Sequence, residues 1–157
     1  MLKIPRNLSI NISMAVSVAL FIICIYGLFE LPSLTNVLIN LPDNIGDRNA
    51  ITQLGRTAVL IVAYCIDLTV TLANVLLFGI LFRVKKGLVF TEHTVALIRG
   101  VSWCCVMLCF CFALLTRYFQ LAWLVAFLAV FLGICLRVVK NVIEEATCIK
   151  NENDLTV

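Results

Sequence analysis

Residues 57–82 read TAVLIVAYCIDLTVTLANVLLFGILF, an apolar stretch with a single acidic residue, Asp67. A helix of about 20 apolar residues matches the hydrocarbon layer of a bilayer, which is roughly 30 Å thick. In lipid the backbone must satisfy its own hydrogen bonds, so a lone segment of this kind is a helix rather than a strand. The stretch therefore predicts a membrane-spanning helix.

Three further apolar stretches, at about residues 10–31, 95–115 and 121–139, predict three more spans. Hydrophobic residues make up 62% of the chain and charged residues only 13%, a balance that no soluble domain of this length needs. We predict one domain over residues 1–157, an all-α four-helix transmembrane bundle with an outer loop at 32–56 and a tail at 140–157. Because nearly all of this length is used in crossing the bilayer, no room is left for a catalytic domain, and we expect a protein that is not an enzyme.

Pro32 predicts the end of the first helix, because proline disfavours helix continuation. Beyond it, Leu34, Val37, Leu38 and Leu41 recur at helical spacing. This spacing predicts a separate short amphipathic helix that lies on the bilayer surface or caps the bundle.

The basic residues predict the orientation, because lysine and arginine accumulate on the cytoplasmic side. Nine fall on one side, namely Lys3, Arg6, Arg83, Lys85, Lys86, Arg99, Arg137, Lys140 and Lys150. Three fall on the other, namely Arg48, Arg56 and Arg117. Both termini are therefore expected in the cytoplasm, in a multi-pass protein of the cell membrane, with residues 32–56 outside.

Most of the eight cysteines lie within or beside the spans, and none lies in the outer loop. Cys105 and Cys109 share a helix face, but no histidine or carboxylate joins them, so we expect no metal site. Thiols in membrane helices pack as small hydrophobes. The alternative is a redox role coupled to a quinone, which would require a cofactor that we do not expect.

A polar stripe runs along the second span at helical spacing, formed by Tyr64, Asp67, Thr71 and Asn74. Charge at this depth costs about 2.5 kcal/mol or more, so an intramembrane carboxylate is a candidate ligand or proton site. The alternative is a protonated Asp67 that bonds across to Ser13, Ser17 or Ser102 and fixes the helix register. Arg99, one turn inside the third span, is interpreted as an anchor that reaches the headgroups, and secondarily as a counter-ion for Asp67.

The cytoplasmic ends predict a docking surface. Thr91 is placed to cap the third helix and Glu92 lies in its first turn. The fourth helix is expected to continue beyond the membrane with an apolar stripe and an acidic tail. The predicted surface comprises Phe90, Thr91, Glu92, Arg99, Val142, Ile143, Glu145, Ile149, Asp154, Leu155 and Val157. The alternative is that the extension folds back onto the Phe90 loop of its own bundle.

Two segments resemble a bacterial family of small four-span membrane proteins that carries a domain-of-unknown-function label. The segment GLVFTEH at residues 87–93, followed by LIRG at 97–100, resembles a Gly-x-Pro-Phe-Thr-x-Glu-Asn run that precedes a Leu-Arg pair. The ending IKNENDLTV at 149–157 resembles the closing Glu-Asn-Asp-Leu-Thr-Ile/Val of the family. Val89 stands where proline is usual, the acid is shifted, and His93 replaces asparagine.

The resemblance implies a partner, since such proteins are often encoded beside a small helix-turn-helix repressor of the Cro/C1 type. The expected function is therefore a regulatory or sensory membrane protein that docks this regulator and does not itself bind nucleic acid. The runner-up is a small transporter or immunity-type protein that uses Asp67, and a thiol oxidoreductase is disfavoured because no Cys-x-x-Cys pair faces outward. The stoichiometry is left open, a homo-oligomer included.

Overall fold

The computed structural model describes residues 6–40 and 53–155, and every regular element in them is a helix. The helices are α1 (Arg6–Asn40), α2 (Gln53–Lys85), α3 (Glu92–Leu115) and α4 (Ala122–Leu155). All four are long and apolar enough to cross a membrane. The prediction of an all-α protein with four candidate spans is confirmed.

The helices follow one another in a row. α1 packs on α2, α2 on α3, and α3 on α4, the last pair being the most extensive. Within the described ranges, α1 makes no close backbone approach to α3 or α4. The bundle is therefore open, and the polar face of α2 meets α1 rather than a closed four-helix interior.

Small side chains line the helix contacts, and large apolar side chains point outward. On α4, Ala122, Ala126 and Ala129 are buried, while Phe127 and Phe131 are exposed. A soluble domain would bury the large residues instead. This inverted pattern suits a lipid environment, in which close packing of small residues holds the helices together.

Pro32 does not end the first helix, and the prediction of a separate amphipathic helix after it is wrong. α1 runs through Pro32 to Asn40, so Leu34, Val37 and Leu38 continue the same helix, while Leu41 lies outside the described residues. Prolines are tolerated in membrane helices where hydroxyl groups help to satisfy the backbone. Nearby, the buried Thr35 hydroxyl donates to the Leu31 carbonyl at 2.7 Å, whereas the carbonyl that loses its amide partner to Pro32 is that of Leu28.

The end of α2 is a Schellman motif centred on Gly87. The Leu88 amide donates to the Arg83 carbonyl at 3.0 Å, and the Gly87 amide donates to the Val84 carbonyl at 3.1 Å. Gly87 has a φ of +76°, a left-handed conformation that glycine adopts without steric cost. This motif turns the chain sharply into the start of α3.

Thr91 occupies the N-cap position of α3, but its side chain makes no capping hydrogen bond. Its hydroxyl lies 2.9 Å from that of Thr94, which in turn donates to the Leu88 carbonyl at 3.1 Å. Thr94 is only 1% exposed. The two threonines thus tie the loop to the helix, which takes the Thr91 hydroxyl away from the predicted cap.

Candidate functional site

The polar stripe of α2 faces α1, and Asn74 joins the two helices. The Ser17 hydroxyl donates to Asn74 Oδ1 at 2.8 Å, and Asn74 Nδ2 donates to the Ser17 carbonyl at 2.9 Å. Ser17 is buried, whereas Ser13 is exposed. Asn74 therefore fixes the register of α1 against α2, the role that sequence reasoning considered for Asp67.

Asp67 lies further along the same stripe and faces Gly27 of α1. A Cβ atom placed on Gly27 would lie 3.4 Å from Asp67 Oδ1, an ordinary van der Waals contact, so the carboxyl group lies close to the backbone of α1. Asp67 Oδ2 and Thr71 Oγ1 are buried and have no hydrogen-bond partner among the described residues. Tyr64 is half-buried on the same helix.

The serines expected to bond Asp67 are placed elsewhere. Ser17 is engaged by Asn74, Ser102 donates to the Ile98 carbonyl at 3.1 Å, and Ser13 is exposed. In an open row of helices, α3 does not reach the face of α2 that α1 covers. This arrangement leaves an unpartnered acid and an unpartnered hydroxyl one helical turn apart at the α1–α2 contact.

All eight cysteine thiols are free. Cys24, Cys104 and Cys111 are buried at helix contacts, and Cys105 lies against Gly133 of α4. No cluster of three or more metal-ligating side chains occurs in the ranges that the structure describes. The buried thiols thus occupy packing positions.

At the other end of the molecule, Glu144 of α4 is shared by two cations. Arg99 Nη2 of α3 lies 3.7 Å from its carboxylate, and Lys140, one turn earlier on α4, forms a second ion pair with it. The Arg99 side chain therefore reaches across to the C-terminal half of α4. It is not a counter-ion for Asp67.

An open cleft of about 530 Å³ separates the start of α3 from α4. Its lining is Glu92, His93, Val95, Ala96, Arg99, Glu144, Thr147 and Cys148. Of the predicted docking residues, Glu92 and Arg99 thus line this cleft from the α3 side, whereas Phe90 is exposed on the preceding loop. The side chains of Asp154 and Leu155, and Val157 entirely, lie outside the described residues.

The apolar stripe predicted on α4 is split between two faces. Val142 is 61% and Ile149 is 54% exposed, and they point away from α3. Ile143 is half-buried and Thr147 is buried, on the side of α4 that packs against α3. Ile143 is therefore partly covered and does not belong to the exposed face that Val142 and Ile149 form. Glu145 is exposed.

A second pocket between α3 and α4 was not found by sequence reasoning. It has a volume of about 280 Å³ and is lined by Arg99, Ser102, Trp103, Arg137, Lys140 and Asn141. The sequence contains two pairs of residues that could have indicated it, Arg99 with Trp103 and Arg137 with Asn141. The members of each pair are four residues apart and therefore share a helix face. Only the packing of α3 on α4 brings these two pairs together.

Residues 3–157 match the model of a family described as "Protein of unknown function (DUF2975)". The chain belongs to this family. No curated protein and no solved structure matches the chain. The matched residues include all four helices that are long and apolar enough to cross a membrane, and the family's description assigns no activity.

Proposed function

We propose that this DUF2975 protein is a non-enzymatic regulatory or sensory membrane protein that docks a small cytoplasmic helix-turn-helix transcription regulator. The docking region is the end of the molecule formed by the start of α3 and the last turns of α4, called the α3–α4 end below. The observation that carries the proposal is the exposed apolar pair Val142 and Ile149, seven residues apart on the face of α4 turned away from the cleft that Glu92 and Glu144 line. α4 has ten or so residues more than α3, and antiparallel packing therefore leaves its final turns projecting beyond α3. The resemblance to proteins encoded beside such regulators supplies the class of partner.

The docking role requires the α3–α4 end to lie in the cytoplasm, with both termini there and residues 41–52 outside. The basic residues near this end, including Arg83, Lys85, Arg137 and Lys140, support that orientation. A cysteine introduced at Asn44 should be labelled in intact cells by a reagent that does not cross the membrane. Labelling only after permeabilisation would reverse the topology and remove the docking proposal with it.

The docking prediction is tested by converting Val142 and Ile149 to serine together. Each apolar side chain buried in a partner is worth about 1.5–3 kcal/mol, so the double variant should lose most of the bound regulator. The measurement is co-purification, with the full-length protein, of the helix-turn-helix protein encoded beside it.

The matched control for docking is Leu88→Ser, which changes an apolar residue of similar exposure on the loop before α3. Retention of the regulator by this control and its loss from the double variant would support the surface. Undiminished capture by the Val142→Ser, Ile149→Ser protein would count against docking there, as would a genome in which no helix-turn-helix gene adjoins.

A second candidate is a small transporter or immunity-type protein in which Asp67 handles a proton or a cation. The observation that favours it is the buried Asp67 Oδ2 beside the unbonded Thr71 hydroxyl. An acid retained in a span at a cost of about 2.5 kcal/mol or more, without a bond that fixes the helices, calls for a functional reason. Exchange of Asp67 for asparagine decides between this candidate and a purely structural acid.

A further inference from the structure

The pocket lined by Arg99, Ser102, Trp103, Arg137, Lys140 and Asn141, called the basic pocket below, shares only Arg99 with the docking cleft, and neither proposed function uses its other residues. The basic pocket lies between α3 and α4. Glu144 separates it from the cleft, and the pocket is on the side nearer the membrane interior. Three of its six lining side chains are cationic. Such a concentration of positive charge between two membrane helices attracts anionic groups.

The acidic partners within the protein are too few. Glu144 is the one carboxylate that pairs with these cations in the described ranges, and it serves both Arg99 and Lys140. Arg137 has no ion pair there, and its guanidinium lies over the Trp103 ring, 5.7 Å from the centroid. Three cations against one carboxylate leave the basic pocket with two uncompensated positive charges.

The polar groups suit a phosphate group in particular. Arginine presents a planar fork of donors that binds phosphate oxygens in pairs, and lysine adds a compact charge. The Lys140 ammonium already donates to Asn141 Oδ1 at 3.2 Å, which leaves the Asn141 amide nitrogen as a further donor. Basic pockets between membrane helices bind anionic headgroups by this chemistry.

The surroundings of the basic pocket favour a lipid as the source of the phosphate. Trp103 is 58% exposed, and tryptophan is enriched where a helix passes from hydrocarbon to headgroups. Toward the membrane interior, exposed apolar side chains continue from the pocket on both helices, with Met107 and Phe110 on α3 and Val130 and Ile134 on α4. The acyl chains of a lipid could contact these two rows of apolar side chains, whereas a soluble anion has no apolar part to do so.

We propose that the basic pocket binds the phosphate of an anionic phospholipid, whose acyl chains lie along the Met107–Phe110 face of α3 and the Val130–Ile134 face of α4. Glu144 limits the affinity, because it competes with the phosphate for Arg99 and Lys140. The site stands independently of the docking proposal, and it would let the charge of the membrane influence the α3–α4 end.

Native mass spectrometry of the full-length protein in detergent, titrated with phosphatidylglycerol, measures this site directly. The Arg137→Gln, Lys140→Gln double variant should raise the Kd about 25-fold, since each lost charge weakens binding roughly fivefold. The matched control removes one arginine and one lysine from the same end of the molecule outside the pocket, by Arg83→Gln with Lys85→Gln. An equal loss in both double variants would indicate a diffuse surface attraction and would overturn the proposal.

Two further measurements complete the test. One distinguishes a specific effect from misfolding, and the other distinguishes a lipid phosphate from a soluble phosphate. Glu144→Gln should tighten phosphatidylglycerol binding about fivefold, a gain that a damaged fold would not give, and weaker binding in this variant would contradict the proposal. Phosphatidylcholine should bind more weakly than phosphatidylglycerol, because its headgroup has no net charge. Displacement of phosphatidylglycerol by millimolar inorganic phosphate would overturn the lipid assignment in favour of a soluble phosphate ligand.

Discussion

Leucine in place of Gly133 should separate α3 from α4 and lower the free energy of unfolding by about 3 kcal/mol, the upper part of the range for overpacking. A Cβ atom at this position would lie 3.2 Å from Cys105 Cβ and 3.9 Å from the Ser102 carbonyl oxygen. Both atoms are attached rigidly to the backbone of α3, so α3 itself would have to move. The measurement is reversible unfolding of the purified protein in mixed micelles with an anionic detergent.

Alanine at Gly133 and at Gly100 gives a matched comparison. A Cβ on Gly100 comes closer to its neighbour, 2.9 Å from Leu76 Cδ1, but that atom ends a flexible side chain. Leu76 can rotate away, whereas Cys105 Cβ cannot, and each alanine gains about 0.5–1 kcal/mol of helix propensity. Gly100→Ala should therefore be the more stable of the two variants, and the reverse order would show that α3 and α4 are not held by this close contact.

The close contact at Gly133 belongs to a row of small residues on α4. Ala122, Ala126, Ala129 and Gly133 recur three or four residues apart and face α3. In a bilayer such rows allow helix backbones to approach, and dispersion contacts then replace the hydrophobic effect as the source of association. On α1, Ser13 and Ser17 are also four residues apart, but only Ser17 is buried, where it bonds Asn74 of α2.

The four spans could be predicted from the sequence because one strong constraint fixes them. A hydrocarbon layer about 30 Å thick demands a long apolar stretch, and a stretch of that length satisfies its own backbone hydrogen bonds there as an α-helix. The ends of the helices could not be predicted in the same way. Pro32 marks a change in composition but not the end of α1, because a membrane helix tolerates the one backbone hydrogen bond that a proline removes.

The candidate sites were predictable to the extent that they lie on one helix. Helical spacing placed Asp67, Thr71 and Asn74 on a shared face of α2, and the structure keeps them together at the α1 contact. Which of them bonds to Ser17 depends on the register of α1 against α2, and no local pattern encodes that register. The basic pocket was missed for the same reason, since Trp103 and Arg137 meet only when α3 packs on α4.

Substitution of Asp67 should have a large effect on the free energy of membrane insertion. Leucine at this position should favour insertion of the second span by about 3 kcal/mol, because aspartate near the helix centre costs about 2.5–3.5 kcal/mol and leucine is favourable. No hydrogen bond of Asp67 Oδ2 to a described residue is lost in the exchange. Insertion is measured in microsomes with glycosylation sites that flank the span. Asn74→Leu is the control for the loss of a polar side chain that is hydrogen-bonded. It removes both hydrogen bonds to Ser17 and should weaken the packing of α1 on α2, which Asp67→Leu should not do.

Asparagine at position 67 separates function from structure. An amide keeps the size of the side chain and its place opposite Gly27, so Asp67→Asn should fold and insert at least as well as the original protein. It cannot take up or release a proton, so a transporter that uses this acid should lose proton movement into vesicles, as reported by an enclosed pH-sensitive dye. Thr71→Val, which removes the neighbouring hydroxyl and keeps the acid, should retain part of that movement. If Asp67→Asn instead fails to fold, the acid holds the helices together, and if it moves protons as the original protein does, the ion-site candidate is removed.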